Sequence, residues 1–359
     1  ESSISHAIDA TSSPTQDFGV DNSHGRTFDR ATKDAHKNAL LDFLAVPPDD
    51  ARRRRGRGVW AARRVDDVDV VLLDGRYHRG RTTAEGLLGE AQFRWLEGHL
   101  RASAAWARAT VVVSPVQVLA TKERPPPAEG FFEFPDDRAR LLRLLANRSA
   151  LIVSGDVHYA ELSAYACAGG RTVPEMTTSG LSHSWGSRLP AHYDGPLIHR
   201  AKHFAMAVHQ RVLQGRVWRY KYPNEHYLGL NAGEVDVTAE TLTARVLDHR
   251  GRVRLERRWA LDELRGNGVD GVCEPYRGAA TRLDVAAGFS AVLLILMGAV
   301  LGPLALIVLV LRRISRPASP LAKMVRTLSS LEKGKRRNYV ASASKEACLL
   351  AEYRLGPLQ

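Results

Sequence analysis

The chain has 359 residues, 44% hydrophobic and 25% charged, which suits one large globular domain with appendages and excludes a disordered protein. Of the net charge of +12, a balance of +8 falls in Arg312–Gln359, leaving +4 for the first 311 residues. That distribution implies no broad basic surface on the main domain, and no nucleic-acid partner is indicated.

The opening ESSISHAIDATSSPTQ is polar and lacks both a charged n-region and an apolar h-region. With no initiator Met, the chain reads as N-terminally incomplete, and residues 1–16 stay unassigned. Thr32 to Leu44 carries Ala35, Ala39, Leu40 and Phe43 at helical spacing, so a helix is expected there, ended by Pro47-Pro48. Arg52 to Arg57 reads as a solvated basic loop, with phosphate attraction as the lesser reading.

Val68–Leu73, Thr110–Val113 and Leu151–Val153 are short apolar runs that predict buried strands. Helices are expected between them, over Gly89–Leu100 and Asp136–Leu145. Alternating strands and helices predict an α/β layered fold with working residues on loops beyond the strand ends. The first and third strands run into Asp74-Gly75-Arg76 and Gly155-Asp156-Val157-His158, polar groups read here as chemistry rather than as turn residues. Further on, Glu234–Thr238, Leu242–Leu247 and Arg252–Trp259 read as antiparallel strands turning at Asp248–Arg252.

Asp156 and His158 can reach one ion together, and carboxylate plus imidazole suits zinc, iron or manganese. Arg76 suits bidentate phosphate recognition. Glu175–Ser184 adds hydroxyls and His183. The other histidines, His192, His199, His203 and His209, read as surface or core residues. Trp60, Trp95, Trp106 and Trp218 read as packing, and Tyr220 and Tyr222 as a strand face. The cysteines Cys167, Cys273 and Cys348 form no CxxC pair; a Cys167–Cys273 bridge and two buried free thiols both stay open.

Taken in order, Asp17–Val20 with Phe43–Pro47, Leu72–Arg79, Leu88–Leu96, Ser154–Leu162, Glu175–Ser184 and Tyr227–Leu230 resemble the PhoD-like branch of the metallophosphoesterases. The resemblance covers about residues 17–264. It implies a β-sandwich flanked by helices, incomplete at the N-terminus, that hydrolyses phosphoesters with two divalent or trivalent metal ions (Fe, Zn, Mn or Ca undetermined). On that resemblance Asp156 and His158 are metal ligands, Arg76 stands near the substrate phosphate, and His183 lines the site.

The chain also departs from the family. The upstream metal motifs are absent, and Ser13-Pro14-Thr15-Gln16-Asp17 stands where Trp-Asp-Asp-His-Asp is expected. Thr15 replaces a carboxylate ligand and Gln16 replaces the histidine that protonates the leaving group; a Gln cannot be a general acid. The alternatives are an incomplete reading of residues 1–16, a catalytically silent binding domain of the same fold, and an α/β domain of another kind.

After a linker over 265–284, Val285 to Leu311 runs 27 residues without a charge and reads as one transmembrane helix, the membrane-lipid contact of the chain. Arg312, Arg313 and Arg316 follow it, so the positive-inside rule places the tail 312–359 in the cytoplasm and the main domain outside it or in a lumen. The sequon Asn147-Arg148-Ser149 fits that side. The run Lys333–Arg337 reads as a lipid-contacting or solvated segment.

Overall fold

The computed structural model describes residues 29–54, 57–80, 85–121, 129–187, 196–265 and 273–314, and positions 324, 327 and 329. Residues 1–28, His192, and the basic tail beyond 314 (those three positions apart) lie outside the described set, together with the expectations placed on them. The chain divides into two compact units, Glu1–Val292 and Leu293–Gln359.

The first unit opens with α1 (Arg30–Phe43), capped by the Asp29 carboxylate accepting from Thr32 N–H at 2.7 Å, and a short α2 (Ala51–Arg54). Then come β1 (Ala61–Val65), β2 (Val68–Leu72), α3 (Gly89–Ser103), β3 (Ala109–Ser114), α4 (Pro135–Leu144) and β4 (Ala150–Ser154). These match the strand–helix alternation expected from the sequence. β5 (Ala160–Cys167), β6 (Thr172–Thr177), α5 (Pro196–Arg216) and β7 (Lys221–Tyr227) follow. β8 (Asn231–Val237), β9 (Thr241–Asp248), β10 (Val253–Ala260), α6 (Leu261–Arg265), β11 (Cys273–Pro275) and α7 (Arg282–Ile314) complete the described α-helices and strands.

The main sheet is mixed, ordered β1-β2-β3-β4-β6-β5-β11, with β7 also on β5. β2, β3, β4 and β6 are mutually parallel, so their carboxyl ends share one edge. A second, antiparallel sheet of β10-β9-β8 lies across one face. One core joins the two: Val111, Val113, Leu151, Val153 and Leu162 from the first, Val235, Leu242, Ala244, Val246 and Trp259 from the second. Each fully buried Val or Leu contributes about 1.5–3 kcal/mol.

Alternate strand positions face the other side. There Asp69 of β2 holds His99 of α3 at 2.8 Å, and α3 buries Phe93, Leu96 and Leu100. The architecture is thus a mixed α/β sandwich with flanking helices.

Trp60 and Trp218 are buried as packing residues should be, Trp95 and Trp106 are half-buried, and of the two buried tyrosines Tyr222 lies on β7 while Tyr220 just precedes it. Phe43 does not join the face of α1 that buries Leu40 and Leu41; it is 86% exposed. The segment around Arg52 is a helical turn rather than a free loop, with Arg52 on Asp50 at 2.9 Å and Arg53 on Asp42 at 2.8 Å. Cys167 and Cys273 form a disulfide, which resolves the alternative left open by the sequence. α7 is long and apolar enough to cross a membrane and continues through Pro303.

Candidate active site

β4 delivers the sharpest motif. After Ser154 the chain turns through Gly155, and Asp156 (φ 78°) and His158 (φ 59°) both adopt left-handed backbone. Non-glycine residues hold such conformations at a cost of about 1–3 kcal/mol each, which the surroundings must offset. Here the His158 N–H donates to Ser179 Oγ at 3.0 Å, and its carbonyl accepts from Trp185 N–H at 3.1 Å. Trp185 Nε1 donates to the Val157 carbonyl at 3.0 Å.

These bonds bring the loop after β6 onto the loop after β4. His183 Nε2 lies 3.0 Å from His158 Nδ1, with the rings edge to face. In that contact one ring donates and the other accepts, so the shared position carries one proton. A pair of this kind suits general acid–base work.

The segment Tyr227–Leu230 closes over the same loop: the Leu228 carbonyl accepts from Gly186 N–H at 2.6 Å. Asn231 accepts from Ser179 N–H at 3.2 Å, and a Cβ on Gly180 would stand 2.1 Å from Asn231 Nδ2. Only glycine permits that approach. Three of the segments singled out in the sequence therefore form one assembly.

Two others form a second assembly, two strands away across the parallel edge, roughly 10 Å. Gln92 of α3 holds the loop after β2 by donating to the Asp74 carbonyl and accepting from Asp74 N–H, both at 2.8 Å. The Asp74 carboxylate accepts from the N–H groups of Val59, Arg76 and Tyr77 at 2.8, 2.8 and 3.0 Å. Asp74 is a turn organiser, contrary to the sequence reading. Its lone pairs are spent on backbone that would otherwise be buried unpaired.

Arg76 is 3% exposed and its guanidinium forms a buried ion pair with Glu129. Arg79 joins the cluster, at 3.3 Å from Glu129 and 3.0 Å from Glu133. Nε and Nη2 of Arg76 have no hydrogen-bond partner among the described residues.

The same loop lines a cavity of about 220 Å³ with Arg30 and Lys33 of α1, Arg57, Tyr77 and His78. Lys33 donates to the Tyr77 carbonyl at 3.1 Å, and the Tyr77 hydroxyl meets Asp34 at 2.5 Å. Burial, then the Asp34 contact, pushes the Tyr77 hydroxyl up to about 12. Burial lowers His78 below the ordinary imidazole value, with Arg57 and Lys33 adding to the shift against Asp74. A neutral imidazole among three cations makes a cavity suited to an anion. Sequence reasoning missed Lys33 and His78; the one available signal was the basic run ending at Arg57.

Among the described residues no three His, Cys, Asp or Glu side chains converge as a metal cage. A dinuclear centre needs several anionic ligands, and Asp156 with two histidines supplies one. The described residues do not by themselves fit the metal centre expected from the sequence.

No family model matches this chain, and no curated protein matches it. A solved structure titled "Structure of PhoD" superposes with a TM-score of 0.44 at 13% identity, covering 74% of this chain and 54% of that one. The chain thus spans about half the length of that structure.

Proposed function

We propose that this chain is a membrane-anchored, metal-dependent phosphoester hydrolase of PhoD-like type, and that the described residues supply part of its site. The observation that carries the reading is the left-handed turn holding Asp156 and His158 at the carboxyl end of β4, with His158 in contact with His183. Asp156 and His158 would serve as metal ligands.

The cationic cavity beside Tyr77 and His78 supports a phosphate-bearing substrate. The disulfide fits a domain outside the cytoplasm, in agreement with the basic residues that follow α7. Membrane anchoring rests on α7.

The test is metal content and hydrolysis of a chromogenic monoester and diester by the full chain in detergent. Metal uptake should be present, and Asp156→Ala/His158→Ala should abolish it together with any hydrolysis. Activity that survives the double substitution would remove these residues from the site. In parallel, Lys33→Ala should weaken inorganic phosphate binding by roughly tenfold, the worth of one charge-assisted hydrogen bond. Unchanged affinity would show that the cavity does not hold the anion.

The second reading is a catalytically silent binding domain, favoured by the burial of Arg76 against Glu129. It predicts phosphate binding without turnover in the same assay.

A further inference from the structure

We propose that α5 lies in the headgroup region of the membrane beside the start of α7, with Leu197, Ala201, Phe204 and Val208 turned into lipid. The proposal rests on α7 crossing the membrane. Its starting observation is that α5 has two faces of different kinds. Gln210, Leu213 and Gln214 are buried against the domain. At about 3.6 residues per turn, Leu197, Ala201, Phe204 and Val208 form a stripe on the opposite side of the helix. Leu197 is 79% exposed and Phe204 47%, with Ile198 beside them at 50%. A soluble helix at a domain surface would place polar residues there.

The neighbouring helix says what covers the stripe. Arg219 pairs with Asp284 at 3.5 Å, just before the apolar segment begins. A Cβ on Gly288 would stand 2.6 Å from Val217 and 3.1 Å from Leu213, so the two helices touch nearly backbone to side chain. His209 then meets Phe289, with ring centroids 6.4 Å apart. As α7 advances from Asp284 to Phe289, its contacts retreat from Arg219 to His209. The contacts of α5 with α7 thus fall on Gly288 and Phe289.

Gly288 and Phe289 already belong to the uncharged stretch, so α5 flanks α7 at the depth where lipid begins. Arg200 and Arg211 border the stripe on one side, and Lys202 and Arg216 lie towards the other. Long basic side chains of this kind reach back to anionic headgroups while the apolar face sinks below them. Exposed apolar area, basic borders and continuity with α7 together fit a lipid surface.

The experiment uses the full chain, with Cys348→Ser and the disulfide intact, in vesicles of phosphatidylcholine containing some phosphatidylglycerol. A nitroxide is attached in turn at Phe204→Cys, Leu197→Cys, Arg200→Cys and Val300→Cys, and its accessibility to oxygen and to a water-soluble nickel chelate is measured. Positions 204, 197 and 300 should favour oxygen several-fold more than position 200. If 300 favours oxygen while 204 and 197 behave like 200, the stripe is in water and the proposal falls, though the anchor stands. If 204 and 197 are shielded from both reagents, protein covers the stripe, a second copy for example, and the proposal falls likewise. If 300 also favours nickel, α7 is not in the membrane and both readings fail.

Discussion

Lys221→Met should cost about 3–5 kcal/mol of unfolding free energy, because it leaves a buried carboxylate without its counter-ion. Lys221 and Glu161 are both fully buried, with Nζ 2.7 Å from Oε2. Nζ also donates to Gln210 Oε1 at 2.6 Å, and Gln117 Nε2 donates to Glu161 Oε1 at 2.6 Å. The pair joins β7 to β5 directly behind the loop that carries His158. Burial lowers the Lys221 ammonium from its usual value, with the Glu161 charge opposing that shift. Removing both charges, as in Lys221→Met/Glu161→Leu, should restore most of the loss, since a buried ion pair is worth little more than apolar residues of similar volume. Urea unfolding of the two variants and the parent checks this; a single variant within 1 kcal/mol of the parent would mean that water reaches Glu161.

The same core carries a pH signature. Burial pushes Glu175 up to about 6 from 4.5, against hydrogen bonds from Ser154 and from the N–H groups of Val118 and Leu119. A carboxyl raised on folding adds stability that is fully present below the unfolded value and is lost as pH rises through the folded one. Glu175 therefore favours the fold at pH about 4.5 over pH about 6 and above. Lys221→Met should extend that trend to Glu161, so acidification should recover part of the variant's loss.

These buried charges also explain which strands the sequence left hidden. β2, β3 and β4 are nearly continuous apolar runs, because both faces of the sheet are covered there, and they are legible on sight. β5 and β6 carry Glu161 and Glu175 at fully buried positions, so they read as polar. Their partners are Lys221, Gln117 and the amides of Val118 and Leu119, more than forty residues away in sequence. β1, with Arg63 and Arg64, is an edge strand whose charges face solvent, and alternation alone does not mark it. α5 shows no single apolar stripe in the sequence, because its apolar residues are divided between two faces.

The site divides in the same way. Asp156, His158 and His183 draw attention in the sequence through residue type and through the resemblance, and the fold brings the two histidines together. The ion pair that holds Arg76 was not, since Glu129 lies on a separate loop fifty-three residues on. Nor was the cavity, which takes Lys33 from a helix and Tyr77 and His78 from a strand end. Long-range pairing of this sort is set by topology, and no local pattern encodes it.

The second large effect concerns the bridge. Cys167→Ala/Cys273→Ala should lower the unfolding free energy by about 2–5 kcal/mol, since the bond closes a sequence separation of 106 residues in the unfolded chain. The native state also relies on it locally. β11 is only three residues long and pairs with β5, at Cys273–Cys167, Glu274–Ala166 and Pro275–Tyr165. Arg171 packs on the bridge, donating to the Leu145 carbonyl at 2.7 Å and approaching both sulfurs at 3.5 and 3.6 Å. Just beyond it Tyr276 N–H donates to the Ala164 carbonyl, and Arg277 reaches the Trp218 carbonyl at 3.1 Å, so the segment leading into α7 is fastened to the domain. Without the bridge, amide exchange should rise at residues 273–277 first. The loops holding His158 and His183 should stay protected, because they bond to each other and to the Tyr227–Asn231 segment rather than to β11. Urea unfolding and hydrogen exchange, with Cys348→Ala as a control outside the bridge, check both parts. Equal stability of bridged and unbridged chains would mean that β11 is held by its backbone pairing alone, and that the domain tolerates a reducing compartment.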